Sequence, residues 1–554
     1  MKVKKLTSID FLAQRAGFQE SRLVFSFFES HSKARRAFLA DIAQQGWQID
    51  SRYGRFYLAG QFDFDQKTLT ITNLLVEAAV DFTWKQLLAV TESFARSRFV
   101  AAVLWQLPHR PPLAEWFIQQ GYQVVPQGYQ KVLAYQTALV LGGGGAHGAY
   151  QIGVWQALQE RGITFEWITG TSVGALNGVL ILMNDVEAAV DLWANISNEQ
   201  VLHYPLASVR AQTLRDLMNQ ANSLVREAVK SNGASTEPLA KLLQKTFDQE
   251  KFSQTACRLL ICTTRLPDFK ETVYAFDPSA VEENLHWLLA SASFYPAMQA
   301  QKINDAYYID GGYRNNLPID VAVQQGATEC ITVDVQGPGI NKRTVVTEET
   351  AQLSLGSPWT LGSFLVFDAQ RSLDNMTLGY LETLKVFGKY QGHWYTFETT
   401  VDFQPLWRGF LKELRQTDPL LYQELKKKEF WKKMRKFYQQ DVPFEQWGRI
   451  LIECTAKVLY LPPTVIYEQE TILTALAEKI ALKAVEEADA WSITEWLSYY
   501  RDRFFVLSEQ NRFFFFYRTQ QLNLPALQQI RRRYPLTALM AAYSHYLLKG
   551  AENG

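Results

Sequence analysis

Cysteine, net charge and long apolar runs are all scarce in this 554-residue sequence. Its four cysteines, Cys257, Cys262, Cys330 and Cys454, have no metal-type spacing and fit reduced thiols in the cytosol. Lys and Arg together number 56, as do Asp and Glu, so overall charge does not point to nucleic acid. No apolar run approaches the ~18 residues of a membrane span, so any membrane contact would be peripheral. These absences predict a cytoplasmic protein without metal, cofactor or nucleic acid, in which contact at the inner membrane face remains open.

Length and aromatic content indicate several domains and an apolar binding surface. At ~150 residues per domain, the chain predicts three or four domains. Aromatic residues make up 13% of the sequence, which is rich enough to suggest apolar pockets or an interfacial surface. The basic N-terminus acquires Asp10 and Gln14 before the apolar core of a signal peptide could form, so we expect no export signal there. No feature of the sequence assigns an oligomeric state.

Residues 1–134 have the pattern of a small α/β domain. Alternating strands are predicted in RFYLAGQFDFD and TLTITNLLVE, and the region ends in a helix and a strand, LAEWFIQQGYQVV. That ending resembles the last helix and strand of the GNAT acetyltransferase fold. The region lacks the Gln/Arg-x-x-Gly-x-Gly/Ala turn that holds an acyl-CoA pyrophosphate, so the resemblance assigns it no activity.

The rest of the chain divides by pattern into three parts. Residues 135–336 alternate short apolar runs with helical stretches, which predicts a mostly parallel sheet covered by helices on both faces. Residues 337–360 are polar and punctuated by Gly and Pro, as in a linker or an ordered excursion. Residues 361–554 lack strand alternation and predict a helical C-terminal domain.

A glycine-rich stretch, LGGGGAHGAY, closes the first apolar run of the middle region. Its spacing fits a dinucleotide-binding turn, and it also fits a cradle of backbone N–H groups for the oxyanion of acyl transfer. A dinucleotide site needs an acidic residue at the end of the next strand, for the ribose. Glu166 has the separation but precedes that strand, which disfavours the nucleotide interpretation.

A second motif, GTSVG, runs from a short apolar strand into a helical stretch. This Gly-x-Ser-x-Gly pattern is a nucleophile elbow, in which Gly170 and Gly174 permit a tight turn that projects the Ser172 hydroxyl above the sheet. A third motif, DGG, ends an alternating strand with Asp310 beside Gly311 and Gly312. Glycine there lets another side chain approach the carboxylate, although Asp310 could instead only cap a turn.

The three motifs together resemble those of the patatin-like phospholipases. That family has a Gly-rich loop, a Gly-x-Ser-x-Gly elbow and a distal Asp-Gly-Gly/Ala, which appear here in order as GGGGAHG, GTSVG and DGG, with DGGYRNNLP extending the third. The resemblance implies a three-layer α/β sheet covered by helices and a dyad of Ser172 as nucleophile and Asp310 as its partner. The implied oxyanion donors and supporting residues are Gly143, Gly144, Gly145, His147, Gly148, Gly170, Gly174, Gly311 and Gly312.

His147 departs from the family pattern, because members usually carry Arg or Lys at this point of the loop. Its imidazole could brace the Gly-rich loop, or it could be a third catalytic group as in Ser-His-Asp hydrolases. The bracing role is favoured because the family scheme needs no histidine. His286 lies in a helical pattern and is interpreted as structural.

These motifs predict a serine acyl-hydrolase acting on fatty-acyl esters of phospholipids or lysophospholipids. Acyl transfer or thioester hydrolysis by the same dyad, and a catalytically silent lipid-binding scaffold, remain alternatives. The stretch ASFYPAM precedes the Asp310 strand, where family members line an acyl pocket, although such stretches also occur in ordinary packing.

A basic, aromatic stretch in the C-terminal region, LKKKEFWKKMRKFY, has two interpretations. Its apolar residues share one helical face and its cations largely occupy the other, which is typical of a helix that binds anionic lipid headgroups. The same pattern fits a helix that docks its apolar face on the protein core, and this second interpretation is favoured. The run of phenylalanines from Phe513 to Phe516 is predicted to be buried.

Overall fold

The protein divides into two compact units, Met1–Tyr380 and Leu381–Gly554, in a computed structural model. The described residues are 2–6, 31–42, 45–63, 66–76, 83–201, 235–344, 347, 350–440, 442–443, 446–488, 507–520 and 525–549. Within these residues, no helix combines the length and the apolar character needed to cross a lipid bilayer.

The first unit begins with a sheet of its own, ordered β1-β2-β3-β4-β5-β7-β6. Its strands are β1 (Lys2–Lys5), β2 (Gly46–Ser51), β3 (Gly54–Asp63), β4 (Thr68–Val76), β5 (Ala102–Trp105), β6 (Gln123–Val125) and β7 (Gly128–Val132). Its helices are α1 (His31–Ile42), α2 (Trp84–Arg96) and α3 (Pro111–Gln119). A separate apolar core built around Phe94, Trp105 and Phe117 supports this region, which agrees with the predicted small α/β region. Its GNAT-like character stays a prediction.

The second sheet of the first unit carries the three sequence motifs. It is ordered β12-β13-β10-β9-β8-β14-β15, with β11 paired to β10. Its strands are β8 (Thr137–Leu141), β9 (Trp167–Thr171), β10 (Arg258–Leu266), β11 (Lys270–Ala275), β12 (Gln301–Ile303), β13 (Ala306–Asp310), β14 (Glu329–Val333) and β15 (Ala351–Leu355). Strands β10, β9, β8, β14 and β15 run parallel to their neighbours in that order, as the continuous apolar runs predict.

Helices follow or separate most of these strands, which confirms the predicted α/β class. They are α4 (Ala149–Glu160), α5 (Val173–Leu182), α6 (Val186–Ala194), α7 (Asn198–Val201), α8 (Glu237–Thr246), α9 (Gln249–Gln254), α10 (Val281–Ser291) and α11 (Ile319–Gln324). Every residue of β8 and of β14 is buried, as expected for strands covered on both faces.

The segment 337–360, predicted to be a linker or an ordered excursion, includes regular structure. It contains β15, which pairs in parallel with β14 and completes the edge of the second sheet. Buried and exposed residues alternate along β15. The exposed positions are polar, so the sequence pattern of this segment is similar to that of a loop. Residues 361–380 also lie in the first unit, and the unit boundary falls within α12 (Ala369–Val386). This division into two units has its boundary elsewhere than 336 or 361, and the predicted domain boundaries stay predictions.

The second unit is mainly helical, as predicted, with a small sheet ordered β16-β17-β18. Its further helices are α13 (Gln404–Thr417), α14 (Pro419–Glu424), α15 (Lys428–Tyr438), α16 (Trp447–Val458), α17 (Gln469–Ala488), α18 (Glu509–Arg518), α19 (Pro525–Arg533) and α20 (Pro535–Lys549). Its strands are β16 (Tyr390–Gln391), β17 (Thr396–Glu398) and β18 (Ile466–Tyr467). The phenylalanines from Phe513 to Phe516 are buried, as expected.

Helix α15 packs its apolar face into the second unit. Phe430, Met434 and Tyr438 are buried, and the Trp431 ring stacks on Trp447 with centroids 3.6 Å apart. That packing leaves the cations on the outer face without an apolar face to insert into lipid. The core-docking interpretation therefore fits α15, and the interfacial one does not.

Candidate active site

The register of β10 brings Ser172 and Asp310 together although 138 positions separate them in the sequence. Cys262 of β10 is paired with Thr171, the last residue of β9, and the next residue, Thr263, is paired with Asp310 at the end of β13. The carboxyl ends of β9 and β13 therefore lie opposite successive residues of β10. Ser172 directly follows Thr171, so its side chain lies beside that of Asp310.

Ser172 occupies a sharp turn between β9 and α5. Its φ of 55° and ψ of −127° form a conformation that non-glycine residues rarely adopt, and such strain is concentrated at functional sites. Gly174 lets the helix approach β8 closely, because a Cβ there would lie 2.2 Å from the Leu141 carbonyl oxygen. The Ser172 N–H donates to Ser291 Oγ at 2.9 Å, and that hydroxyl donates to the Cys262 carbonyl at 2.7 Å. These contacts hold the predicted elbow in place.

Asp310 is a buried carboxylate held by the turn that follows it. The residue is only 5% exposed, its Oδ1 accepts the Gly312 N–H at 2.7 Å, and its carboxylate lies close enough to the Ser172 side chain for that side chain to influence its pKa. Burial raises the pKa of Asp310 from 3.8 to about 6, although the bonds from Ser172 and Gly312 partly offset that rise. An aspartate with this pKa is a far better proton acceptor near neutral pH than an ordinary one.

The Gly-rich loop turns beside Ser172, and its three candidate donors differ in their partners. The Gly143 N–H donates to the Asn316 carbonyl at 3.1 Å, while Asn316 Nδ2 donates to the Gly143 carbonyl at 3.3 Å. Gly144 and Gly145 line the cavity beside Ser172, and no hydrogen bond of the described residues uses their N–H groups. Gly145 has φ 54°, and a Cβ there would lie 2.2 Å from the Phe364 carbonyl oxygen. Gly143 is thus committed to Asn316, whereas Gly144 and Gly145 face the cavity.

His147 contacts two backbone carbonyl oxygens beyond β14. Its Nδ1 lies 2.9 Å from the Val335 carbonyl oxygen and its Nε2 lies 3.0 Å from the Gly362 carbonyl oxygen. Both ring nitrogens are therefore directed at backbone carbonyl oxygens. Neither contact involves the Ser172–Asp310 pair. His286, by contrast, lies on the exposed side of α10.

An apolar cavity opens beside Ser172. One end carries the polar groups of Ser172, Asp310, Asn316 and the Gly-rich loop. The remaining wall is almost entirely apolar, and it includes Leu180, Trp193, Ile196, Leu239, Leu243 and Phe367. The stretch ASFYPAM contributes Phe294 and Met298 to this wall, in line with one of its two interpretations. The cavity has the form of a site for an apolar chain that ends at a polar reacting group.

A buried chain of amide groups connects the cavity wall to the Gly-rich loop, and sequence reasoning missed it. Trp193 Nε1 donates to Asn177 Oδ1 at 3.0 Å, and Asn177 Nδ2 donates to Gln151 Oε1 at 2.8 Å. Gln151 Nε2 then donates to the Gly142 carbonyl at 2.7 Å, and Asn177 Nδ2 also reaches the Gly148 carbonyl at 2.9 Å. The available signal was Asn177 itself, the single polar side chain of α5.

The alternatives of a nucleotide or metal site receive no support from the site geometry. Glu166 accepts a hydrogen bond from the Thr137 N–H at the amino end of β8, whereas Ser172 follows the carboxyl end of the neighbouring strand β9. Among the residues that the structure describes, no group of three or more His, Cys, Asp or Glu side chains is placed to hold a metal ion.

Comparison with known proteins places one segment of the chain in a family. Residues 139–323 match the model of the Patatin family, described as patatin-like phospholipase. Patatin-like phospholipase domain-containing protein 7 of Rattus norvegicus is 30% identical over 212 residues, which are 36% of this chain and 13% of that protein. Lysophospholipase NTE1 of Mycosarcoma maydis is 26% identical over 208 residues, 37% of this chain and 10% of that protein. This chain therefore contains a patatin-like phospholipase domain.

The matched relatives are much longer than the matched region, so the chain spans only a small part of each. Among solved structures, VipD from Legionella pneumophila aligns over 77% of this chain and 92% of its own, with 14% identity and a TM-score of 0.32.

Proposed function

We propose that this protein is a serine acyl-hydrolase that cleaves fatty-acyl esters of phospholipids or lysophospholipids. The observation that carries the proposal is a buried Asp310 beside Ser172 at the polar end of an apolar cavity. The family match of residues 139–323 and the names of its relatives support a lipid ester as substrate.

Ser172 and Asp310 act as nucleophile and base in this proposal. Ser172 Oγ attacks the carbonyl carbon of the ester while its proton passes to the Asp310 carboxylate. The tetrahedral intermediate collapses, the acyl–oxygen bond to the alcohol breaks, and Asp310 returns the proton to the leaving alcohol. A water molecule then attacks the acyl-enzyme while Asp310 takes its proton. Asp310 passes that proton to Ser172 Oγ as the bond between Oγ and the acyl group breaks, which releases the fatty acid and restores Ser172. The pKa of about 6 supports this role, because Asp310 is then mainly ionised at neutral pH and still basic enough to accept a proton.

The oxyanion is stabilised by the N–H groups of Gly144 and Gly145. Both residues line the cavity beside Ser172, and their N–H groups are not engaged among the described residues. The amino end of α5, which begins at Val173, adds a favourable dipole at the same point. Gly143 serves a different purpose, because its N–H is bonded to Asn316 and holds the loop in shape.

His147 braces the loop in this scheme and takes no part in proton transfer. Its two contacts tie the loop to residues beyond β14, at Val335 and at Gly362. The role matches the bracing function expected for the cation that most family members carry there.

Labelling with a fluorophosphonate probe tests the nucleophile. We expect the wild-type protein to be labelled and Ser172→Ala to lose both the label and the release of fatty acid from lysophosphatidylcholine. Ser279→Ala is a matched control, since Ser279 is also hydrogen-bonded to an aspartate, Asp277, at 2.7 Å, but is exposed. Labelling of Ser172→Ala at the wild-type level would rule out the assigned nucleophile.

A further inference from the structure

The exposed aromatic residues of the first unit are concentrated on one side of the second sheet. Within its described residues, Phe269, Tyr295 and Tyr307 are the exposed side chains among Phe, Tyr and Trp. Ile340 is exposed as well, and the four residues range from 42% to 57% exposed. We call Phe269, Tyr295, Tyr307 and Ile340 the apolar rim.

Strand register shows that the rim lies at the edge of the sheet that carries Ser172. Strand β10 continues for four residues beyond Cys262, the partner of Thr171, so it extends ~13 Å past that point at ~3.3 Å per residue. Phe269 lies in the turn after this extension, and Tyr307 is paired with Leu266, its last residue. Both therefore project outward from the carboxyl edge of the sheet.

Hydrogen bonds join the rim segments to the turn that follows Asp310. The Tyr313 hydroxyl donates to the Tyr295 carbonyl, and Arg314 Nε donates to the Phe269 carbonyl. The Ile340 N–H donates to the Gly312 carbonyl at 2.8 Å. The rim is thus built on the same turn that positions the Asp310 carboxylate.

The rim also continues into the apolar cavity. Phe294 lines the cavity directly before Tyr295, and Pro338 lines it two residues before Ile340. A chain entering the cavity from this side would cross the rim first. Exposed apolar groups that continue an apolar binding site commonly mark a surface for lipid or protein.

Charges beside the rim favour a lipid surface with anionic headgroups. Lys270 follows Phe269 and is exposed, and Lys302, which is paired across the strands with Tyr307, is exposed as well. Of the nearby acids, Asp268 is paired with Arg265, and Asp305 is exposed in the β12–β13 turn. Tyrosine and phenylalanine between cations are typical of side chains that sit at a membrane interface.

We propose that the apolar rim docks on the surface of a lipid bilayer that contains anionic lipids, with the cavity mouth directed at the membrane. The choice of lipid as the occupant rests on the proposed hydrolase function. Docking would let a substrate acyl chain pass from the bilayer into the cavity without crossing water. This surface replaces α15, whose apolar face is buried.

Sedimentation with sucrose-loaded vesicles of phosphatidylcholine and phosphatidylglycerol tests the proposal. The variant Phe269→Asn, Tyr307→Thr, Ile340→Ser removes three rim side chains, and Asn suits the φ of 50° at Phe269. We expect its vesicle partition coefficient to fall about tenfold or more, since burying even part of three large apolar groups exceeds the 1.4 kcal/mol that a factor of ten requires. Partitioning equal to the wild type would overturn the proposal.

A matched control removes exposed apolar side chains from α3 and from strands β6 and β7 of the other sheet. Ile118→Ser, Val124→Thr, Val132→Thr changes residues that are 47% to 74% exposed, and this variant should bind vesicles like the wild type. Replacing Lys428, Lys432 and Lys433 of α15 with Gln should also leave at least most of the binding. Binding lost in either control to the same extent as in the rim variant would overturn the assignment, as would a wild-type protein that does not bind vesicles.

Hydrolysis of a soluble short-chain ester separates this proposal from the proposed function. The rim variant should hydrolyse that ester at the wild-type rate, because the rim does not line the cavity. If the wild type bound vesicles through the rim but hydrolysed no ester, the hydrolase function would fail and the docking surface would stand. A rim variant that instead changed from dimer to monomer in gel filtration, with unaltered vesicle binding, would identify a protein interface and overturn the lipid assignment.

Discussion

Replacing Asp310 with Asn should stabilise the protein while it abolishes hydrolysis. The wild-type fold raises the pKa of this carboxyl from 3.8 to about 6, so the folded state binds protons more tightly than the unfolded state. A difference of this size corresponds to about 3 kcal/mol of destabilisation once the group is ionised in both states. Stability therefore falls as pH rises from about 4 to about 6, and the loss persists above that range.

The amide variant does not ionise and avoids this destabilisation. The asparagine side chain of Asp310→Asn can still accept the Gly312 N–H through its oxygen, and the amide has the same shape as the carboxyl group. We expect Asp310→Asn to exceed the wild type by up to about 3 kcal/mol at pH 8 and to match it near pH 4. Its ester hydrolysis at pH 8 should fall by about 10²–10⁴-fold, the usual contribution of a general base.

Thermal unfolding of the full chain at pH values from 4 to 8 provides the measurement. The wild-type melting temperature relative to that of Asp310→Asn should decline between pH 4 and 6 and then stay constant. Asp277→Asn is the control, because this exposed carboxyl has a lowered pKa and gives no such decline. A variant no more stable than the wild type at pH 8 would refute the reasoning from burial. In the wild type, kcat/KM for a soluble ester should fall about tenfold per unit below pH 6.

Three further changes examine the surroundings of the dyad. Gly144→Val should lower kcat/KM by about 10²–10³-fold, the usual effect of losing one oxyanion donor, because its Cβ would lie 2.6 Å from a Val335 methyl and would displace the loop. Near-normal kinetics in a folded variant would contradict this prediction. His147→Gln should keep measurable hydrolysis, since Gln can donate to one backbone carbonyl but cannot act as a base, whereas a loss as complete as that of Ser172→Ala would make His147 the base. Asn177→Leu should destabilise the fold by about 1–3 kcal/mol, because the buried Trp193 N–H loses its acceptor, and it should lower kcat more than it changes KM. An unchanged melting temperature and unchanged kinetics would show that the amide network does not support the active site.

The motifs and the class of the fold could be predicted because their signals are local. Glycines on either side of Ser172 indicate a tight turn whatever surrounds them, and apolar runs such as β8 indicate strands covered on both faces. Strand β15 escaped prediction because it is an edge strand with alternate exposed positions, so half of it is polar. The outcome for α15 shows the same limit, since an amphipathic helix has one pattern whether its apolar face meets lipid or protein.

The order of the residues alone indicates which residue types end the strands: a serine between glycines, an aspartate before glycines, and a loop with little side-chain bulk. What these groups can do depends on how the chain packs around them. The pKa of Asp310 depends on burial among residues far away in the sequence. The separate roles of Gly143 and Gly144 depend on the Asn316 carbonyl, which accepts the Gly143 N–H and does not accept the Gly144 N–H. Desolvation and hydrogen-bond partners are properties of the packed chain, because they arise from contacts between segments that only folding brings together.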